Sequence, residues 1–270
     1  MVTPKIPRLS LVGAGPGDIG LVTLNCLKAL RAADVILYDK LVNPELLDFA
    51  PPESEKIYVG KSPGNHCMKQ EVINELIIEK AFSKGHVVRL KGGDPFIFGR
   101  GYEEMSAAKV AGIPVVVIPG ISSSIGLAGL KQIPLTVRGC NESIWITTGT
   151  TQHGFLSDDV KLAAKSSATI VILMGMHRLE EIIGIFLDEN KQNTAIVIIQ
   201  NGSLPNEKMI AGTISDILPK VKENKIKSPA VIIIGEVVGL NYPGHFASST
   251  PEGLPSGYIN FHNDISLVKT

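Results

Sequence analysis

The sequence predicts an α/β protein made of two units, and three observations carry that prediction. Short apolar runs alternate with helix-spaced segments from residue 9 onward. Most of the runs stop at turns rich in glycine or proline, as strands do in a parallel sheet covered on both faces. The pattern changes near Gly139 and Cys140, where a second series of apolar runs begins. The expected division is therefore 1–139, 140–240 and an irregular tail over 241–270, where prolines, glycines and serines break every periodicity.

Taken in order, residues 9–12 form a short apolar strand ending in a glycine cluster. Residues 22–33 carry Leu24, Leu27 and Leu30 at helical spacing, and 35–38 is again a strand. A further strand at 57–59 ends at Gly60, and 69–83 is the clearest helix, with Ile73, Leu76, Ile77 and Ala81 on one face. A strand at 87–90 runs into Lys91-Gly92-Gly93-Asp94, a helix of small residues covers 102–111, and an apolar strand at 115–118 is stopped by Pro119-Gly120. In the second series, strands are expected at 143–147, 169–173, 195–199 and 230–234, with helices over 179–187 and 214–222. An extra strand at 208–212 points to a mixed sheet.

Composition bounds the function. The chain has 270 residues, 44% of them hydrophobic, and a formal net charge of zero. A large core is therefore expected, and nothing global favours nucleic acid or an anionic membrane. The three cysteines, Cys26, Cys67 and Cys140, form no C-x-x-C pair, so neither a disulfide framework nor a thiolate zinc site is expected. His66, His153 and His177 lack ligand spacing, and no catalytic metal is predicted. No apolar run approaches the ~20 residues of a membrane span, and no secretory leader is discernible at the start; a cytoplasmic location is expected.

The loops at the ends of the predicted strands hold most of the chemistry. Gly13-Ala14-Gly15-Pro16-Gly17-Asp18 looks like a dinucleotide fingerprint, but the third glycine of G-x-G-x-x-G would fall where Asp18 stands. A tight strand-to-helix turn explains the same glycines. Two further loops, at 91–96 and 119–124, add glycines, and the chain has no P-loop. Asp94 could accept from a ribose hydroxyl or simply cap the next turn. Glycine loops without a phosphate-binding device suit a nucleoside that lacks phosphates, and S-adenosylmethionine (SAM) is one.

Several segments then resemble one family in order and spacing. They are 12–18, Tyr38-Asp39, Gly60-Lys61, 89–101, 118–121, Pro134-Leu135-Thr136, Leu173-Met174, 200–203 and 228–236. The block Arg89-Leu-Lys-Gly-Gly-Asp-Pro-Phe-Ile-Phe-Gly-Arg-Gly101 is the most specific of them. The family is that of the tetrapyrrole methylases, and the resemblance covers roughly residues 8–240. It implies a two-domain fold with SAM bound in the cleft between the domains, and a homodimer. It implies that Pro16, Gly92, Gly93, Asp94, Ile97, Ser122, Ser123, Met174 and Gly202 contact SAM, that Asp39 accepts a proton and that Lys61 donates one. The implied substrate is uroporphyrinogen III, methylated twice on carbon (C2 and C7) to give precorrin-2. Its carboxylates could pair with Arg100 and Arg138, each of which could equally form a surface ion pair. Two positions depart from the family pattern: Ser123 stands where alanine is common, and Val137 where histidine is common.

Overall fold

The computed structural model describes residues 6–60 and 68–241. Its first sheet contains β1 (Arg8–Gly13), β2 (Val35–Tyr38), β3 (Glu55–Tyr58), β4 (His86–Lys91) and β5 (Val115–Ile118). All its ladders are parallel, in the order β3-β2-β4-β1-β5. Successive side chains of a strand point to opposite faces, so strands covered on both sides read as unbroken apolar runs. Helix α1 (Leu24–Arg31) and a 3-10 segment (Pro44–Phe49) bury Cys26, Leu30 and Leu46 against Val12, Ile36, Val88 and Leu90. On the opposite face, α2 (Gln70–Lys84) and α3 (Gly101–Val110) bury Ile73, Ile77 and Ala108 against Leu9, Leu11, Val35, Leu37 and Val87. Each large side chain so buried contributes about 1.5–3 kcal/mol. Helix α1 begins later than periodicity suggests because Thr23 caps it, accepting from the Cys26 N–H at 3.1 Å.

The second sheet is mixed, as the strand-like run at 208–212 foretold. Strand β6 (Ile144–Thr148) pairs parallel with β7 (Thr169–Leu173). Strands β8 (Ala195–Gln200), β9 (Lys208–Thr213) and β10 (Ala230–Ile234) complete the order β6-β7-β10-β8-β9 through antiparallel ladders. Helices α5 (Asp159–Ala164), α6 (Leu179–Asp188) and α7 (Ile217–Glu223) cover one face, with Val160, Ile182, Phe186 and Ile217 packed on Ile170, Ile172, Ile196 and Ile232. The other face is covered by α4 (Ser123–Leu130) and α8 (Glu236–Asn241). Leu127, Ala128, Ile133 and Val238 pack there on Val171, Val197, Ile199, Val231 and Ile233. Helix α4 thus directly follows the first sheet in the chain and belongs to the core of the second.

A buried histidine links the start of β4 to β1. His86 is 5% exposed. Its Nε2 lies 2.8 Å from Ser10 Oγ and its Nδ1 2.8 Å from the Ala32 carbonyl oxygen. The carbonyl can only accept, so Nδ1 carries the hydrogen and the Ser10 hydroxyl donates to Nε2 of a neutral ring. Burial pushes the imidazole pKa down; the Ala32 bond and Asp34 oppose this, and Arg8 adds to it. Below the ordinary value of about 6.5, the unfolded chain takes up a proton that the folded ring refuses. Stability therefore falls as pH drops through that value. Thermal unfolding of the wild type should show a fall in Tm from pH 7 to 5.5 that is shallower in His86→Gln; equal slopes would remove His86 as the cause.

Candidate active site

The chain leaves β1 towards β2 and leaves β4 towards β5, in opposite directions across the sheet. The departing segments are tied antiparallel at Gly15 and Gly93, with N···O distances of 3.2 and 2.7 Å. The loop after β5 meets them at Gly120. A Cβ on Gly120 would stand 2.2 Å from Gly93 O, and one on Gly13 would stand 2.4 Å from Gly120 N. Three carboxyl-edge loops therefore meet backbone to backbone, which only glycine allows. Asp94 fastens the junction: Oδ1 accepts from Phe96 N at 2.8 Å and Oδ2 from Gly120 N at 3.1 Å. Of the two readings open from sequence, the structure shows the turn cap, and the carboxylate retains further acceptor positions.

The sequence-predicted cofactor residues divide into groups. Pro16, Gly93, Asp94, Ser122 and Ser123 come together at this junction. Ser122 Cα and Ser123 N lie 3.8 and 3.9 Å from the Cβ position of Gly93, and Pro16 Cγ lies 3.8 Å from that of Gly126 in α4. Ser122 is buried and caps α4, accepting from Ser124 N at 3.3 Å. Ile97 is half-exposed on the turn after Asp94, at 39%. Met174 follows β7 on the second sheet, 50% exposed with φ 54°, and its carbonyl accepts from Thr150 Oγ1 at 3.0 Å. Gly202 lies in the loop after β8, which reaches the loop that follows β1, where Asp18 N donates to Ser203 Oγ at 3.0 Å, and Glu207 in the same loop pairs with Lys131 at the end of α4.

Two of the glycines face protein rather than open space. A Cβ on Gly92 would stand 2.7 Å from Leu41 Cβ, and one on Gly202 would stand 2.4 Å from Leu127 Cδ1. A side chain at Gly92 would therefore disturb the fold as well as any ligand. Gly92→Val collides with the loop after β2, so any loss of ligand binding should arrive with a loss of stability of about 1–3 kcal/mol. Chemical denaturation beside ligand titration checks this, and an unchanged unfolding midpoint would refute it.

Asp39 follows β2 with its side chain 26% exposed. Its Oδ1 accepts from Leu41 N at 3.0 Å, and its Oδ2 faces Arg89 Nη2 at 3.5 Å. Arg89, Glu104 and Lys91, which site reasoning from sequence passed over, form a buried ionic cluster beneath it. Arg89 Nε donates to Glu104 Oε1 at 2.9 Å, and Lys91 Nζ lies 3.1 and 2.9 Å from the two Glu104 oxygens. The second of these contacts is an ion pair without hydrogen-bond alignment. Gln70 donates to Glu104 Oε1 at 3.3 Å. The side chains of Arg89, Lys91 and Glu104 are 4%, 5% and 0% exposed. Burial lowers the Lys91 pKa, the Arg89 charge lowers it further, and Glu104 and Asp39 oppose them.

Lys61 lies outside the described residues. Arg100 caps α3 in a left-handed conformation and is bound bidentately to Glu103 at 2.8 and 2.7 Å, both side chains being exposed. Arg138 is exposed. Among the described residues, no group of three or more His, Cys, Asp or Glu is arranged to hold a metal. None of the described helices is long and apolar enough to cross a membrane.

A parallel sheet whose carboxyl-edge loops meet at glycines, followed in the chain by a second, mixed sheet, is an architecture to set beside known proteins. Residues 8–218 match the family model of the Tetrapyrrole (Corrin/Porphyrin) Methylases, and the chain belongs to that family. It is 44% identical over 235 residues to a uroporphyrinogen-III C-methyltransferase of Methanocaldococcus jannaschii, covering 86% of this chain and 97% of the relative. It is 42% identical to a siroheme synthase of Zymomonas mobilis, covering 95% of this chain but only 55% of that longer protein. Among solved structures it resembles uroporphyrin-III C-methyl transferase from Thermus thermophilus complexed with S-adenyl homocysteine. That likeness has TM-score 0.73 and 38% identity, over 86% of this chain and 98% of the other. It also resembles cobalt precorrin-4 methyltransferase, with TM-score 0.77 and 26% identity over 86% and 95% of the two chains.

Proposed function

We propose that this methylase transfers methyl groups from SAM to two carbon atoms of uroporphyrinogen III, C2 and C7, giving precorrin-2. The observation that carries the choice of substrate is the 44% identity to a uroporphyrinogen-III C-methyltransferase over nearly its whole length. The chain spans about half the length of the siroheme synthases it matches.

The residues at the carboxyl edges fit a phosphate-free nucleoside. Ile97 and Met174 offer half-exposed apolar walls, and Asp94 retains acceptor positions for a hydroxyl. Pro16, Gly93, Ser122 and Ser123 would complete the pocket from the first sheet, and Gly202 would hold the second-sheet loop against Leu127. When bound, SAM supplies an electrophilic methyl group on a sulfonium that departs as a neutral thioether. Methylation leaves the pyrrole cationic until a proton leaves a bridging carbon. Asp39 takes that proton: both its oxygens have lone pairs to spare, and the side chain is partly open to solvent. Lys61 is assigned proton donation. Arg138 is assigned a substrate carboxylate, and Arg100 joins it by exchanging Glu103 for one. The active form is proposed to be a cytoplasmic homodimer that needs no metal.

The test is product mass. Purified chain incubated with uroporphyrinogen III and SAM should accumulate a species heavier by two methyl groups. A product with one or three added methyls, or no reaction alongside methylation of a later corrinoid, would overturn the assignment.

A further inference from the structure

We infer that Arg89 is a positioning residue for the Asp39 carboxylate, itself seated by Glu104 and Lys91; this rests on the reading of Asp39 as proton acceptor. Arg89 is anchored on three sides. Nε donates to Glu104 Oε1 at 2.9 Å, and Nη1 donates to Leu90 O at 2.9 Å and to Leu37 O at 3.4 Å. The guanidinium is planar and rigid, so these anchors fix the direction of its remaining arm. That arm, Nη2, faces Asp39 Oδ2 at 3.5 Å, while Oδ1 is held by Leu41 N. One carboxylate oxygen is thus tied to its own loop and the other to β4, which sets the plane in which the group can receive a proton. At 4% exposure Arg89 lies below the surface, and its route to the reaction runs through Asp39.

Charge supports the same role. Arg89 and Lys91 face Glu104 and Asp39, so the four groups are neutral together only while Asp39 is ionised.

Arg89→Lys keeps the buried charge but loses the fork. It should lower kcat about 10- to 100-fold through misplacement of the carboxylate, with the affinity for S-adenosylhomocysteine within about twofold of wild type. Combined with Asp39→Asn, it should add nothing, the double variant being as slow as Asp39→Asn alone. The charge-neutral pair Arg89→Gln with Glu104→Gln should behave likewise, and decides the matter if Arg89→Lys does not fold. Wild-type kcat in a folded Arg89 variant, with Asp39→Asn slow, would make Arg89 purely structural. Losses that multiply in the double variant would show that it acts apart from Asp39. A wild-type rate in Asp39→Asn would instead remove Asp39 from the chemistry, and the role of Arg89 with it.

Discussion

Asp39→Asn should lower kcat by about 10²- to 10⁴-fold, the range for loss of a positioned general base. The substitution preserves size and leaves Oδ1 able to accept from Leu41 N, so the loop after β2 should keep its shape. The junction of Gly13, Gly93 and Gly120 does not involve Asp39, and SAM binding should be close to wild type. Calorimetry with S-adenosylhomocysteine and single-turnover methylation separate the two effects. Parallel losses in binding and rate would mean that Asp39 shapes the pocket; an unchanged rate would mean that another base serves.

Glu104→Leu, on the helix α3 that packs against the first sheet, should be strongly destabilising. Glu104 is fully buried, and both Arg89 and Lys91 direct their charges at it. Apolar replacement leaves two cations in the interior with only the partly exposed Asp39 to offset them. Breaking a buried ionic arrangement from one side costs about 3–5 kcal/mol. Urea unfolding of variant and wild type measures the difference. A cost below about 1 kcal/mol would mean that the side chains escape to water without resistance, contrary to their burial. Part of the loss should return in Glu104→Leu combined with Lys91→Met, because one stranded charge has been removed.

Much of this fold was legible because its inner strands are buried on both faces and its edge strand β5, though only partly covered, is wholly apolar. The runs at 35–38, 115–118, 169–173 and 230–234 coincide with observed strands. Helix α4 was not legible. Its sequence, Ser123-Ser-Ile-Gly-Leu-Ala-Gly-Leu130, contains two glycines and reads as loop by propensity. It forms because Ser122 caps it and because Leu127 and Ala128 are covered by a sheet formed much later in the chain. Helix α5, at six residues, is too short for periodicity to declare itself.

At the site, the glycines declared the turns but not what approaches them. That Gly92 faces Leu41 and Gly202 faces Leu127 depends on contacts between distant segments. Arg89 and Lys91 left a trace, two charges at alternate positions in an otherwise apolar strand. Charged residues are so rarely buried that only the fold reveals Glu104 waiting beneath them.

The position of α4 also bears on how the chain is made. The five strands of the first sheet have all been synthesised by residue 118, whereas the partners of Leu127 include Val231 and Ile233 in β10. At ~5–20 residues per second, roughly one hundred further residues take on the order of 5–20 s to emerge from the ribosome. Until β7 and β8 emerge the apolar side of α4 has no sheet partner, and β10 completes its cover last, although the Gly13–Gly120 contact at its root can already form. The nascent chain therefore carries a finished half with a sticky appendage, a state in which association with chaperones or with other nascent chains competes with folding.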